Sequence, residues 1–450
     1  MKSNTQTLTE GPLAKQILLV SLPLALSNLL QVLFNMSDVA VVGRFAGSTA
    51  LGAVGSTSIF VTLFTGFLIG LSNGINVLVA RFYGAKHGDD VRCTVHSALV
   101  VSFIAGVVLL GIGLLGSPAL LRLLNTKDDL LPGAILYLRV YFLGMPALAL
   151  YNFGNAIFSA IGDTKKPLYF LSIAGVLNIL LNLFFVIICK LDVAGVALAS
   201  AISQCVSAGL ILHALTKVQD CYALDFKQAK LDPAMTKSIL ALGLPAGFQN
   251  AIFAIANLFI QAGVNSFDSL MVKGNSAAAN ADNLIYDCMA AFYMACASFM
   301  SQNYGAGNLA RCRKATKTGF SVTMLVTVVL SALACLFANE LLALFNDNPA
   351  VIEIGRIRIF YIIGFYFLCV FIEILSGALR GYGYSLPPAL LMLVTICGVR
   401  IAWIYTAFAA KPTFTNIMIS YPLSWVITAV LLIGIYAFYR KHIKPLALRL

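Results

Sequence analysis

Twelve mostly apolar stretches alternate with short polar connectors along the chain. Each is at least as long as the 20 or so residues that a helix needs to cross a bilayer. They lie at 15–42, 50–80, 93–116, 131–156, 167–189 and 193–216, then 237–264, 275–303, 316–338, 352–379, 387–409 and 413–439. Glycine and proline punctuate the connectors, among them Gly84, Pro132, Gly162, Pro167, Pro233, Gly305, Pro349 and Pro412. The longest connector, between Lys217 and Lys237, carries Asp220, Asp225, Lys227, Lys230 and Asp232. The pattern predicts an all-α membrane protein with twelve transmembrane helices. The expected organisation is an N-lobe over 1–216, a linker over 217–236 and a C-lobe over 237–450.

The two halves echo each other. Tyr83-Gly84-Ala85 returns as Tyr304-Gly305-Ala306, and Arg92, Leu121, Asn125, Gly162 and Pro167 return as Arg313, Leu342, Asn346, Gly383 and Pro388, all 221 positions on. Pro23, Asn28 and Asn35 return as Pro245, Asn250 and Asn257 at 222. A nearly constant register across several loops is the mark of a duplication. Six spans per half is an even number, so both halves enter the membrane in the same sense, related by a pseudo-two-fold axis along the membrane normal. Two such bundles around an alternately open cavity are a transporter's basic device.

Composition agrees with the pattern. Of 450 residues, 60% are hydrophobic and 11% charged, against ~25% charged in soluble domains, which excludes a soluble enzyme. Lys plus Arg exceeds Asp plus Glu by 30 to 18, a net charge of +12. Twenty of the thirty cations fall in the connectors and termini that face one way when the N-terminus is inside, and six in those facing the other. The excess is therefore a positive-inside signal. It puts both termini in the cytoplasm and leaves no role for nucleic acid. The first sixteen residues are mostly polar and the run after them is long, so no cleavable signal peptide is expected. Thr7, Glu10 and Pro12 form a helix-start signature. None of the ten cysteines has CxxC spacing, which suits helix packing.

Other chemistries find little support. No Gly-Lys dipeptide occurs, so there is no phosphate-binding loop. His87, His96, His213 and His442 form no zinc motif. Gly70-Leu71-Ser72-Asn73-Gly74 matches GxSxG but lies inside an apolar helix, where Gly66, Gly70 and Gly74 suit close helix packing.

Ionisable groups in the hydrocarbon carry the functional signal, because an intramembrane charge is costly and usually serves a pathway. Asp38, Asp287 and Glu373 are the deep acids. Asp38 is read as ending helix 1, fifteen residues after Pro23, which should bend that helix as Pro245 should bend helix 7. Gln31 and Asn35 are expected on its face. Asn178 and Asn182 form an i, i+4 pair on helix 5, while Tyr137, Asn155 and Ser200 add hydroxyl and amide groups on helices 4 and 6. A carboxylate among amides can exchange a proton or hold Na⁺ through several oxygens. The second half offers Glu373, Gln249, Asn250 and Asn257, with Asp282 and Asp287 too poorly spaced to pair.

Several stretches together resemble the MATE (multidrug and toxic compound extrusion) family over essentially the whole chain. They are Leu22-Pro23 through Asp38-Val39; Arg81 to Ala85 with its echo Gln302 to Ala306; Ile161-Gly162-Asp163-Thr164-Lys165; Asn178 to Asn182; Ala194-Gly195-Val196-Ala197; and Ala378-Leu379-Arg380-Gly381. The resemblance implies two six-helix lobes and export of cationic amphiphiles driven by inward H⁺ or Na⁺, with no cofactor. It also implies an N-lobe ion site of Asp38 with Tyr137, Asn155, Asn178, Asn182 and Ser200. Two acids found in some relatives are missing: Asn182 stands where they have aspartate, and no acid lies between Lys237 and Asp268. That shifts weight to Asp38 and, in the C-lobe, to Glu373.

The expectation is a monomeric, multi-pass exporter of the plasma membrane, working by alternating access. A flippase for a lipid-linked sugar is the runner-up. It would favour several cavity-facing arginines for a pyrophosphate, and Arg139 and Arg400 are read as the only ones deep in helices. A membrane-embedded enzyme would need clustered His, Asp or Ser groups at one face, and the sequence has none.

Overall fold

The computed structural model describes residues 8–124 and 126–443. Thr7, Asn125, Lys2, Lys444 and Arg449 lie outside the described residues. Each apolar stretch folds as a helix because a helix satisfies its own backbone donors and acceptors where no water can. Numbered as spans, the helices of the first half are α1 (Leu13–Ala46), α2 (Thr49–Gly84), α3 (Gly88–Leu123), α4 (Leu131–Phe142 with Met145–Ala160), α5 (Lys165–Ile188) and α6 (Asp192–Thr216). Those of the second half are α7 (Pro233–Val264), α8 (Ser269–Gly305), α9 (Leu309–Leu336), α10 (Pro349–Gly381), α11 (Leu386–Phe408) and α12 (Phe414–His442). Eleven are continuous; α4 is a pair bent by 46°. No strand occurs among the described residues, and the twelve-span, all-α membrane fold is as the hydropathy pattern predicts.

The break in α4 falls at Leu143-Gly144, and Met145-Pro146 opens the second segment. A proline supplies no N–H, which a helix tolerates without loss only in its first turn, so Pro146 starts a new segment rather than continuing the old one. Pro23 and Pro245, by contrast, sit inside α1 and α7 without interrupting them.

By contact, the described residues form two units. The first holds Leu26–Gly247; the second holds Phe248–Leu450 and the described chain before Leu26. The sequence puts the division in the 217–236 connector, whereas the contacts divide inside α1 and α7, two residues after each proline. In the second unit, the Leu8 N–H donates to Gln302 Oε1 at 3.2 Å and Arg311 donates to the Gly11 carbonyl at 3.0 Å. In the first, α2 and α7 meet at glycine: a Cβ on Gly74 would lie 2.5 Å from the Gly243 nitrogen, and one on Gly70 would collide with Ala246 and Gly247. The glycine run thus serves close packing, as its spacing suggests.

The duplication is visible in the turns. Gly162 and Gly383 both take positive φ, at 83° and 100°. Gly307 takes φ of 71°, and 221 positions earlier Lys86 takes 60°. Leu121 and its counterpart Leu342 are both fully buried. All ten cysteines are free.

Candidate functional site

Asp38 lies in the first unit on α1. The helix does not end there: it continues to Val41 and then widens into a π-helical turn over Val42–Ala46. Phe34, one turn earlier, packs its ring on Gly175 of α5, where any Cβ would overlap it. That close approach sets Asp38 beside the residues one and two turns further along α5, Asn178 and Asn182.

The contacts are direct. Asn182 Nδ2 donates to Asp38 Oδ1. Ser200 Oγ, on α6, donates to Asp38 Oδ2 at 3.1 Å. Asn182 Nδ2 also donates to Asn178 Oδ1 at 3.2 Å, and Asn178 Nδ2 donates to Ser200 Oγ at 3.4 Å. All four side chains are buried, and Asn182 Oδ1 has no hydrogen-bond partner. Five oxygens on three helices, two of them the carboxylate's own, therefore gather in one cluster. Tyr137 is buried with its ring stacked on Tyr141 at 5.8 Å, and both phenols feel the charge of Asp38.

Three expected members stand apart. Asn35 is exposed, because three residues on a helix leave it about 60° round from Asp38. Gln31 shares the face but lies two turns, about 10 Å, away; it is half-buried. Asn155 is half-buried and accepts from Ser159 Oγ at 3.4 Å.

In the second unit the polar groups pair off. Glu373 on α10 accepts from the Tyr286 hydroxyl of α8 at 2.8 Å. Gln249 on α7 accepts from Arg380 of α10 at 2.8 Å. Arg358 of α10 forms a buried ion pair with Asp282 of α8 at 2.9 Å and donates to Asn275 at 2.8 Å. Arg400 on α11 donates to Asn257 at 3.0 Å and Ser424 at 3.3 Å, and its guanidinium lies 4.2 Å from the Tyr421 ring centroid. The expected pair of deep arginines is thus corrected. Arg139 is exposed and caps the Leu114 carbonyl at 3.1 Å, whereas Arg358, Arg380 and Arg400 are buried. Sequence reasoning missed the Asp282–Arg358 pair. The available signal was an arginine inside an apolar span, which calls for a polar or acidic partner on a neighbouring helix. Among the described residues no three His, Cys, Asp or Glu side chains gather as a metal site.

Comparison with known proteins gives the family. The MatE family model matches the chain twice, over residues 23–184 and 245–406, one match per half and 222 positions apart. YpnP of Bacillus subtilis, a probable multidrug resistance protein, is 31% identical over 87% of this chain and 88% of its own length. YoeA of the same organism, also a probable multidrug resistance protein, is 25% identical over 97% and 96%. An outward-facing MATE transporter of the MOP superfamily has the same fold, with a TM-score of 0.89 at 20% identity over 98% of this chain and 99% of that one. The relatives are transporters, not enzymes, and the chain belongs to the MatE family of multi-pass membrane transporters.

Proposed function

We propose that the protein is a secondary active multidrug exporter of the plasma membrane, coupling outward movement of cationic amphiphiles to inward movement of H⁺ or Na⁺ at Asp38. The observation that carries this reading is the buried Asp38 cluster, with Asn182 Oδ1 left unpartnered beside it. A carboxylate in hydrocarbon that has only neutral donors beside it is neutralised by a proton or by a metal cation. The five oxygens of Asp38, Asn178, Asn182 and Ser200 suit Na⁺; the carboxylate alone suits H⁺. Occupancy changes how α1 packs on α5 and α6, and that change drives substrate out. Tyr137 supports the cluster from α4, while Asn155, Gln31, Asn35 and Gln249 belong to the substrate path. Glu373 is the C-lobe acid; Pro23 and Pro245 are the points at which α1 and α7 bend during the transport cycle. The six-helix lobes alternate about the 217–236 linker in a monomer, with both termini cytoplasmic.

The named relatives, both probable multidrug resistance proteins, favour drug-like substrates. The flippase reading is weaker, since Arg358, Arg380 and Arg400 each already hold a partner within the protein. The test is efflux of a fluorescent cation from proteoliposomes under a pH gradient or a Na⁺ gradient imposed separately. One gradient should drive wild type, and Asp38→Asn should lose coupled transport. Transport under neither gradient sinks the antiport reading, and full activity in the variant removes Asp38 from it.

A further inference from the structure

The repeat places basic residue types at matching points in both halves. Arg92 and His96 on α3 correspond to Arg313 and Lys317 on α9, each pair 221 apart. Each pair lines a cavity at the helix end nearest a connector. In the first unit the connector covers that face. The Asp225 N–H donates to His96 Nε2 at 3.1 Å, the Asp232 N–H donates to Ser97 Oγ at 3.1 Å, and Asp89 adds an acid to the lining.

In the second unit the cavity, about 380 Å³, is walled instead by α9, α10 and α12. Arg313, Lys317 and Phe320 lie on one face of α9 at i, i+4 and i+7. Tyr436 and Arg440 face them one turn apart on α12, and Leu375 of α10 lines the inner end. Three cations and no carboxylate line this space. Phe320 sits about 10 Å along the helix from Arg313, roughly the depth that separates headgroups from acyl chains. Beyond it, Val328 on α9 and Ile433 on α12 are exposed, as lipid-facing residues should be.

We propose that this cavity is a binding site for the phosphate of an anionic phospholipid, with Arg313, Lys317 and Arg440 holding the headgroup and Phe320 and Leu375 meeting the start of the acyl chains. Basic pockets between helices at a membrane surface recognise such headgroups. A free phosphate shares the charge but makes no use of the apolar end.

The test uses the full chain in nanodiscs of phosphatidylcholine with about one phosphatidylglycerol in five, a composition that supplies the anionic surface. Native mass spectrometry counts the phosphatidylglycerol that leaves with the protein. Arg313→Ala/Lys317→Ala is compared with Lys314→Ala/Lys441→Ala, which removes the same charge from α9 and α12 outside the cavity. The cavity variant should bind phosphatidylglycerol on the order of 20-fold more weakly and the control less than about twofold. Arg313→Lys/Lys317→Arg should keep binding. All substituted side chains are exposed, and unchanged elution of each variant verifies folding. Equal loss in cavity and control variants overturns the proposal in favour of a diffuse surface field, and unchanged binding in the cavity variant overturns it outright. Glycerol phosphate binding detergent-solubilised wild type as tightly as the lipid does also overturns it, making the cavity a soluble-anion site.

Discussion

Two of the buried carboxylates, Asp38 and Asp282, differ in one residue-level respect. Asp282 has Arg358, whereas Asp38 has only neutral amide and hydroxyl donors. A paired charge is a structural commitment: removing one partner strands the other in low dielectric. Asp282→Ala should therefore lower stability by on the order of 3 kcal/mol, read as a lower unfolding midpoint in detergent. Asp282→Ala/Arg358→Met should recover most of the loss, since it removes both charges at once. A double variant no better than the single one would show that the pair's hydrogen bonds to Asn275 and its neighbours matter more than its charge. Asp38→Asn, which keeps size and removes only the charge, is expected to leave the unfolding midpoint within about 1 kcal/mol of wild type while abolishing coupled transport. Asp38 was legible in the sequence because an acid in an apolar span stands out by itself. So was the Asn178–Asn182 pair, at i, i+4. The link from α1 to α5 was not legible, because it depends on Phe34 meeting Gly175 across helices. Asn35 stays outside the Asp38 hydrogen bonds for a simple geometric reason: a three-residue step on a helix is not a full turn.

At the scale of the element, duplication makes each half a control for the other. The connector before α9 has Gly307 in the left-handed region and then Asn308, whose side chain accepts from the Arg311 N–H at 2.9 Å and caps the helix. The connector before α3 places Lys86 in that region and then His87, which makes no such cap. A residue with a Cβ is strained there by about 1 kcal/mol relative to glycine. Lys86→Gly should accordingly raise the unfolding midpoint, with a gain of about 1 kcal/mol at most, because glycine also gives back some unfolded-state entropy. A fall in the midpoint would mean that the Lys86 side chain does more than tolerate its backbone. The α2–α7 contact runs the opposite way. Gly74→Leu would drive a branched side chain into Gly243 and Ile239, and should leave little folded protein to purify, whereas Gly111→Leu, with open space around it, should purify normally. Hydropathy foresaw the helix number, and the bounds to within seven residues, since span length is dictated by bilayer thickness. It did not foresee that contacts divide inside α1 and α7, because apolar runs on either side of a proline look alike whichever unit they pack in.

For the whole molecule, the distribution of cations predicts which ends face the cytoplasm, and the native cysteines offer a direct reading of it. Cys189 is exposed at the end of α5, next to Lys190, in a connector that the twenty-to-six cation asymmetry puts outside. Cys221 lies in the long connector, half-buried, on the side predicted to be cytoplasmic. Burial and then the Asp220 charge push the Cys221 thiol up to about 11, so at neutral pH only about one molecule in ten thousand carries the reactive thiolate. A membrane-impermeant maleimide added to intact cells should therefore label Cys189 within minutes, and Cys189→Ser should abolish that signal. In inverted vesicles Cys189 should be protected. Cys221 should label there only slowly at pH 7, speeding up as pH rises toward 9, because each unit of pH below the thiol's own value multiplies the thiolate tenfold. Lys227→Cys, exposed on the same connector, provides a fast reporter for that side. Labelling of Cys189 in inverted vesicles but not in intact cells would reverse the topology. It would then move the basic cavity of α9 and α12 to the outer leaflet and turn the proposed direction of ion and drug movement around with it.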